Sequence, residues 1–81
     1  MNTKTLPCSD GTDLEVLPIG TRVADSENPA LTGTIRRYEY HESGRISPLP
    51  YNIQWDDCDL AYRVRGFMFI YAGPGIEAVQ A

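Results

Sequence analysis

The stretch Pro50-Tyr51-Asn52-Ile53-Gln54-Trp55-Asp56-Asp57 decides how the rest of the chain is read. Tyr51, Ile53 and Trp55 alternate with Asn52 and Gln54. Successive side chains of a strand point to opposite faces, so this spacing predicts a strand with three large apolar groups on one side and two amides on the other. Pro50 closes the front of the segment, and Asp56-Asp57 closes the back. One face is expected to meet a core, the other water or a partner.

The next strong segment outward is Gly33-Thr34-Ile35-Arg36-Arg37-Tyr38-Glu39-Tyr40-His41. Ile35 lies on one parity, while Tyr38 and Tyr40 lie on the other. A single bulge at Arg36-Arg37 brings all three to one face, and small barrels need such bent strands, so a bulge is expected there. Residues 13–17 and 21–24 read as shorter strands on either side of a Pro18-Ile19-Gly20 turn, with Val23 inward. Leu60-Ala61-Tyr62-Arg63-Val64 alternates and reads as a strand after a tight acidic turn, and Phe67-Met68-Phe69-Ile70-Tyr71 as the last strand. Residues 46–49 show no clear period, and Pro48 argues against a central strand. Residues 1–12 are polar and aperiodic, which predicts a flexible leader. Gly73-Pro74-Gly75 is expected to end the ordered structure, leaving 73–81 as a tail. The expected domain is all-β and spans residues 13–72.

Eighty-one residues make one domain that buries only about 60–65% of its unfolded surface, so stability shared with a partner subunit is plausible on size alone. The net charge of −4 and pI of 4.7 oppose sequence-independent binding to phosphate backbones. Cys8 and Cys58 are too few for a disulfide framework and read as free thiols. The first residues hold no apolar run of a secretory signal, and the longest apolar stretch, residues 67–72, is far short of a membrane span. The expectation is a soluble cytoplasmic protein without membrane contact.

Ile19-Gly20-Thr21-Arg22-Val23, then Leu31-Thr32-Gly33-Thr34-Ile35, then a hairpin and the Tyr51–Asp57 stretch resemble, in this order, the SH3-like small barrels of the KOW and Tudor type. The resemblance covers residues 18–72 and implies an SH3-like, partly open, five-stranded barrel, an architecture that hosts many unrelated roles. A fainter resemblance, on the same Ile19–Val23 and Leu31–Ile35 segments, is to the plasmid-borne type II dihydrofolate reductases. Those are SH3-like barrels with a floppy leader that work as tetramers around one pore. This resemblance implies that their functional Gln-Ile-Tyr strand falls near Ala61-Tyr62-Arg63, where the glutamine is absent.

Asp56, Asp57 and Asp59 with Cys58 lack the glycine turn of a calcium loop, and with His41 they lack zinc spacing. They read as a turn whose carboxylates hydrogen-bond their own backbone. Acidic neighbours disfavour a thiolate, so Cys58 is not assigned as a nucleophile. No catalytic, metal or cofactor residue is assigned. Tyr38, Tyr40, Tyr51, Trp55 and Tyr62 serve core or subunit packing first; a cage for a methylated cation or a peptide-binding face are their other uses. Arg36, Arg37 and Arg45 interleaved with tyrosines suit nucleic acid, and they equally suit pairing with Glu39 and Glu42 across the hairpin. The reading taken forward is a non-enzymatic binding or assembly module acting through protein contacts, with a second copy of the chain as one partner. Its expected contact surface is Arg36, Tyr38, Tyr40, His41, Asn52, Gln54 and Arg63. A nucleic-acid-binding module is the first alternative and a reductase-type pore enzyme the second.

Overall fold

A computed structural model describes residues 3–66 and 69–79. In chain order the elements are β1 (Lys4–Pro7), β2 (Asp13–Val16), β3 (Arg22–Asp25), β4 (Thr32–Tyr40), β5 (Ile46–Trp55), α1 (Cys58–Arg65), β6 (Ile70–Tyr71), a 3-10 turn (Gly73–Gly75) and β7 (Ile76–Ala78). β1 and β2 form a two-stranded sheet. The others form one antiparallel five-stranded sheet in the order β6-β5-β4-β3-β7. The class is all-β with one short helix.

The two edge strands of that sheet are neighbours in sequence. Only Ala72, Gly73, Pro74 and Gly75 join them. Four interstrand spacings across a flat sheet come to about 19 Å. The connecting residues, three of them in a 3-10 turn, reach only about 12 Å. The sheet is therefore curled, with its edges brought towards each other but not paired. Its concave side holds Val23, Ile35, Tyr38, Ile53, Trp55 and Tyr71.

The bulge expected at Arg36-Arg37 is present. Ile35 pairs with Ile53 and Arg37 with Asn52, which leaves Arg36 as the extra residue. Directly paired residues share a face, so Ile35, Tyr38 and Tyr40 lie with Ile53, Tyr51 and Ile46. Tyr38 is buried, whereas Tyr40 stays 60% exposed at the rim beside the hairpin turn. Residues 46–49 do belong to a central strand. Pro48 is tolerated because residues 47–50 stand opposite Glu39 alone and have no ladder partner in β4, so no hydrogen bond is lost there.

Both ends of the curled sheet are closed by segments read differently in the sequence. The stretch expected to be a flexible leader supplies β1, and Cys8 is 1% exposed. Leu6 and Cys8 alternate with Thr5 and Pro7, and Asp10-Gly11 makes the turn into β2. The Ser9 amide donates to the Ile46 carbonyl at 2.9 Å, docking this hairpin on the start of β5. At the other end, residues 58–65 are helical, not a strand. The Asp57 side chain accepts from the Leu60 amide as N-cap, Asp59 lies in the first turn, Arg63 and Arg65 in the last, and Gly66 ends the helix at φ 64°. Ala61 is buried, and Leu60 and Val64 pack on the core. That spacing fits a helix face, and exposed Tyr62 breaks the proposed strand face. The expected tail likewise contains β7, and the amide of Val79, which follows it, donates to the Arg22 carbonyl. Phe67 and Met68 of the expected last strand lie outside the described residues.

At Gly33 the backbone lies directly against the core. A Cβ there would lie 2.7 Å from the Gln54 carbonyl oxygen and 2.8 Å from both Ile53 Cγ2 and Trp55 Cε3. Gly33→Ala is expected to cost about 1–3 kcal/mol of overpacking, read from the midpoint of urea unfolding. Both cysteines are free, Cys8 buried and Cys58 exposed. An aromatic disulfide reagent should titrate one thiol rapidly in the native protein and the second only on unfolding; two fast thiols would contradict the docked N-terminal hairpin.

Candidate functional site

The bulge decides what the convex face of the sheet displays. In a regular strand, consecutive residues point to opposite faces. Here two residues of β4 stand against one of β5, and Arg36 and Arg37 are both exposed beside Asn52. Arg36 Nε donates to Asn52 Oδ1 at 3.1 Å, and Asn52 Nδ2 donates to Glu39 Oε2 at 2.8 Å. Arg37 Nε donates to the same Glu39 oxygen at 3.3 Å. The Asn52 hydrogen bond, followed by the arginines, holds the Glu39 carboxyl below its usual range. Asn52, expected on the wet face, is only 4% exposed, though it is on the expected side of the strand. Gln54 lies further along the same face, exposed and paired with Thr34.

The aromatic residues divide by position. Tyr38 donates its hydroxyl to the Leu17 carbonyl at 2.6 Å, and the Leu17 amide donates to the Tyr51 hydroxyl at 3.0 Å. Together they clamp the chain that leaves β2. Burial, aided by Tyr51 and Tyr40, raises the Tyr38 phenol. Tyr38 is thus committed to the fold, while Tyr40 remains outward. His41 lies in the exposed turn after β4, where the Ser43 amide donates to its Nδ1 at 3.1 Å. Arg63 sits on α1, with Nε donating to the Asp59 carbonyl at 3.4 Å, and so is not a neighbour in the sheet. The expected contact surface therefore separates into Arg36, Asn52 and Gln54 on the convex face, Tyr40 and His41 at the rim, Tyr38 inside and Arg63 on the helix.

Two ion-pair clusters escaped the sequence reading. Asp25 is 1% exposed. Arg65 donates to it through Nε at 3.0 Å and Nη2 at 3.1 Å, and Nη2 also reaches Glu27 at 2.9 Å. The amides of Glu27 and Asn28 donate to Asp25 Oδ1 at 2.9 and 3.1 Å. Arg65 stands 40 residues on from Asp25, a separation that no local pattern spans. The second cluster is Asp56, which accepts from Arg22 and from the Thr32 hydroxyl, so that its pKa falls to about 2. The carboxylate of Asp56 thus pairs across the sheet, and among the expected turn aspartates it is Asp57 that caps backbone, at the Leu60 amide.

Tyr71 packs edge-on against Trp55, with ring centroids 5.2 Å apart. Its hydroxyl is buried without a hydrogen-bond partner among the described residues. Burial first, and the Asp25 charge second, push this phenol up to about 12. The segment expected to carry a reductase-like Gln-Ile-Tyr strand, Ala61-Tyr62-Arg63, is helical. Ile-Tyr occurs instead in β6, after Phe69 and with the tyrosine buried.

No protein-family model matches this chain, and no curated protein or solved structure matches it significantly. Among the described residues, no helix is long and apolar enough to cross a membrane.

The Asp25–Arg65 pair yields a pH prediction. Desolvation raises the Asp25 pKa, but Arg65 and the two amides outweigh it, and the net shift is downward. A depressed folded-state pKa stabilises the fold above the unfolded value of about 3.9 and loses that contribution as pH falls through the folded value. Asp25→Asn should cost about 3 kcal/mol at neutral pH, and its penalty relative to the parent should shrink below about pH 4, measured by denaturant titration across pH.

Proposed function

We propose that this protein is a small, non-enzymatic binding or assembly module that works through protein–protein contacts. The curled, unclosed five-stranded sheet and its strand order support an SH3-like barrel of the KOW and Tudor type. Such barrels place function on rims and faces, not in a deep cavity.

The observation that carries the reading is the apolar rim around Tyr38. Tyr40 is 60% exposed, Ile19 57% and Leu49 50%. Tyr40 and the Ile19 backbone lie beside this phenol, and Leu49 belongs to the stretch 47–50 that stands opposite Glu39, between the cross-strand partners of Tyr38 and Tyr40. Leu49 is turned out because residues 47–50 bulge from the ladder. Single exposed apolar residues need no explanation, but a grouped set on a small domain marks a contact surface. Tyrosine also suits this use, since it buries a large ring at low entropic cost and keeps a polar tip.

Photo-crosslinking residues placed singly at positions 40 and 49 test the reading in cells that make the protein. The expected result is one recurrent protein partner, or a second copy of this chain, captured at both positions and lost on Ile19→Ser. Capture no stronger than from the exposed helix position 59 would refute it.

A further inference from the structure

We propose that the convex face around the Arg36–Arg37 bulge binds a carboxylate-rich segment of a protein partner. The inference rests on the binding-module reading and names the partner chemistry. The bulge sets two consecutive guanidiniums on one face, where regular β4 geometry would have separated them. Among the described residues, each is held by one edge. Arg36 is anchored through Nε to Asn52, and Arg37 through Nε to Glu39. The terminal nitrogens of both take no partner among the described residues, although Arg36 and Arg37 are exposed.

An arginine fixed at Nε and open at its fork has already lost much of its side-chain freedom. It then presents parallel N–H donors that match a carboxylate. Asn52 strengthens the case. It is 96% buried by the complement of its 4% exposure, on the face away from the core. One amide bridges Arg36 to Glu39, so two arginine anchors and their counter-ion form one connected unit. Burying that amide is worthwhile only when its hydrogen bonds are met, and here they set the direction of the charges.

The choice of carboxylate over nucleic acid follows from the charges nearby. Glu39 bonds Arg37 directly and Arg36 through Asn52, and the whole chain carries −4. A long polyanion meets this repulsion along its length, whereas a short acidic peptide needs only local bidentate pairs. Arg22 adds nothing to the site, because Asp56 and Thr34 hold it.

Fluorescence anisotropy of the full chain at low ionic strength provides the test. The probes are a labelled peptide alternating Glu and Asp with Gly and Ser, its Gln/Asn counterpart, and a single-stranded oligonucleotide of similar length. The acidic peptide should bind, weaken as salt is added, and lose about tenfold or more in affinity to the R36Q/R37Q variant. Circular dichroism would verify that this variant is folded. R36K/R37K, which keeps charge without the fork, should fail to restore full binding. No binding of the acidic peptide, equal binding to the R36Q/R37Q variant, full rescue by lysines, or tighter binding of the oligonucleotide would each overturn the assignment. If that happens while positions 40 and 49 still capture a protein, the binding-module reading survives and only its acidic-segment site falls.

Discussion

Tyr71 and Ile76 belong to opposite edges of one sheet, yet four residues join them. That short tether is the constraint on which the structure depends. It forces the sheet to curl, and curling creates an inside for Ile35, Ile53, Trp55 and Tyr71. Curling also demands that the longest strands bend. The bulge at Arg36 supplies the bend where β4 crosses from Ile35 to Tyr38. Gly33 lets β4 approach Trp55 without a side chain between them.

A curled sheet that is not closed leaves two ends open, and each is covered by a different device. The N-terminal hairpin brings Cys8 and Val16 over Ile46 and is tied by the Tyr38–Leu17–Tyr51 hydrogen bonds. The helix brings Ala61 over the far end and is tied by Arg65 to the buried Asp25. Losing one partner of that buried pair leaves a charge unmatched in a poorly hydrated place, which is why the pair matters more than its exposed counterpart at Arg22 and Asp56.

The same bend that serves the core orders the outside. It turns Tyr38 inward and leaves Tyr40 at the rim, and it places two arginines on the convex face against a buried asparagine. Apolar rim and basic face are separate surfaces produced by one irregularity in β4. A binding role drawn from them is consistent with a fold whose rigid strands hold the contact groups and whose loops are few and short.

The sequence by itself determined the two central strands, the bulge between Ile35 and Tyr38, the all-β class and the side of β5 on which Asn52 and Gln54 lie. Each of these is written in a period of two residues, which is a local property. It also contained cues that alternation overrode: Asp57 and Gly66 bracket a helix that Leu60, Tyr62 and Val64 disguised as a strand, and Asp10-Gly11 marks a hairpin in what read as a leader. Only the tertiary structure decided that Asp25 meets Arg65, that Tyr38 and Tyr51 hold Leu17, that Asn52 is covered, and that β7 returns to β3. Those contacts join residues far apart in the chain, and their energies come from burial and hydrogen-bond geometry that arise only once the sheet has curled.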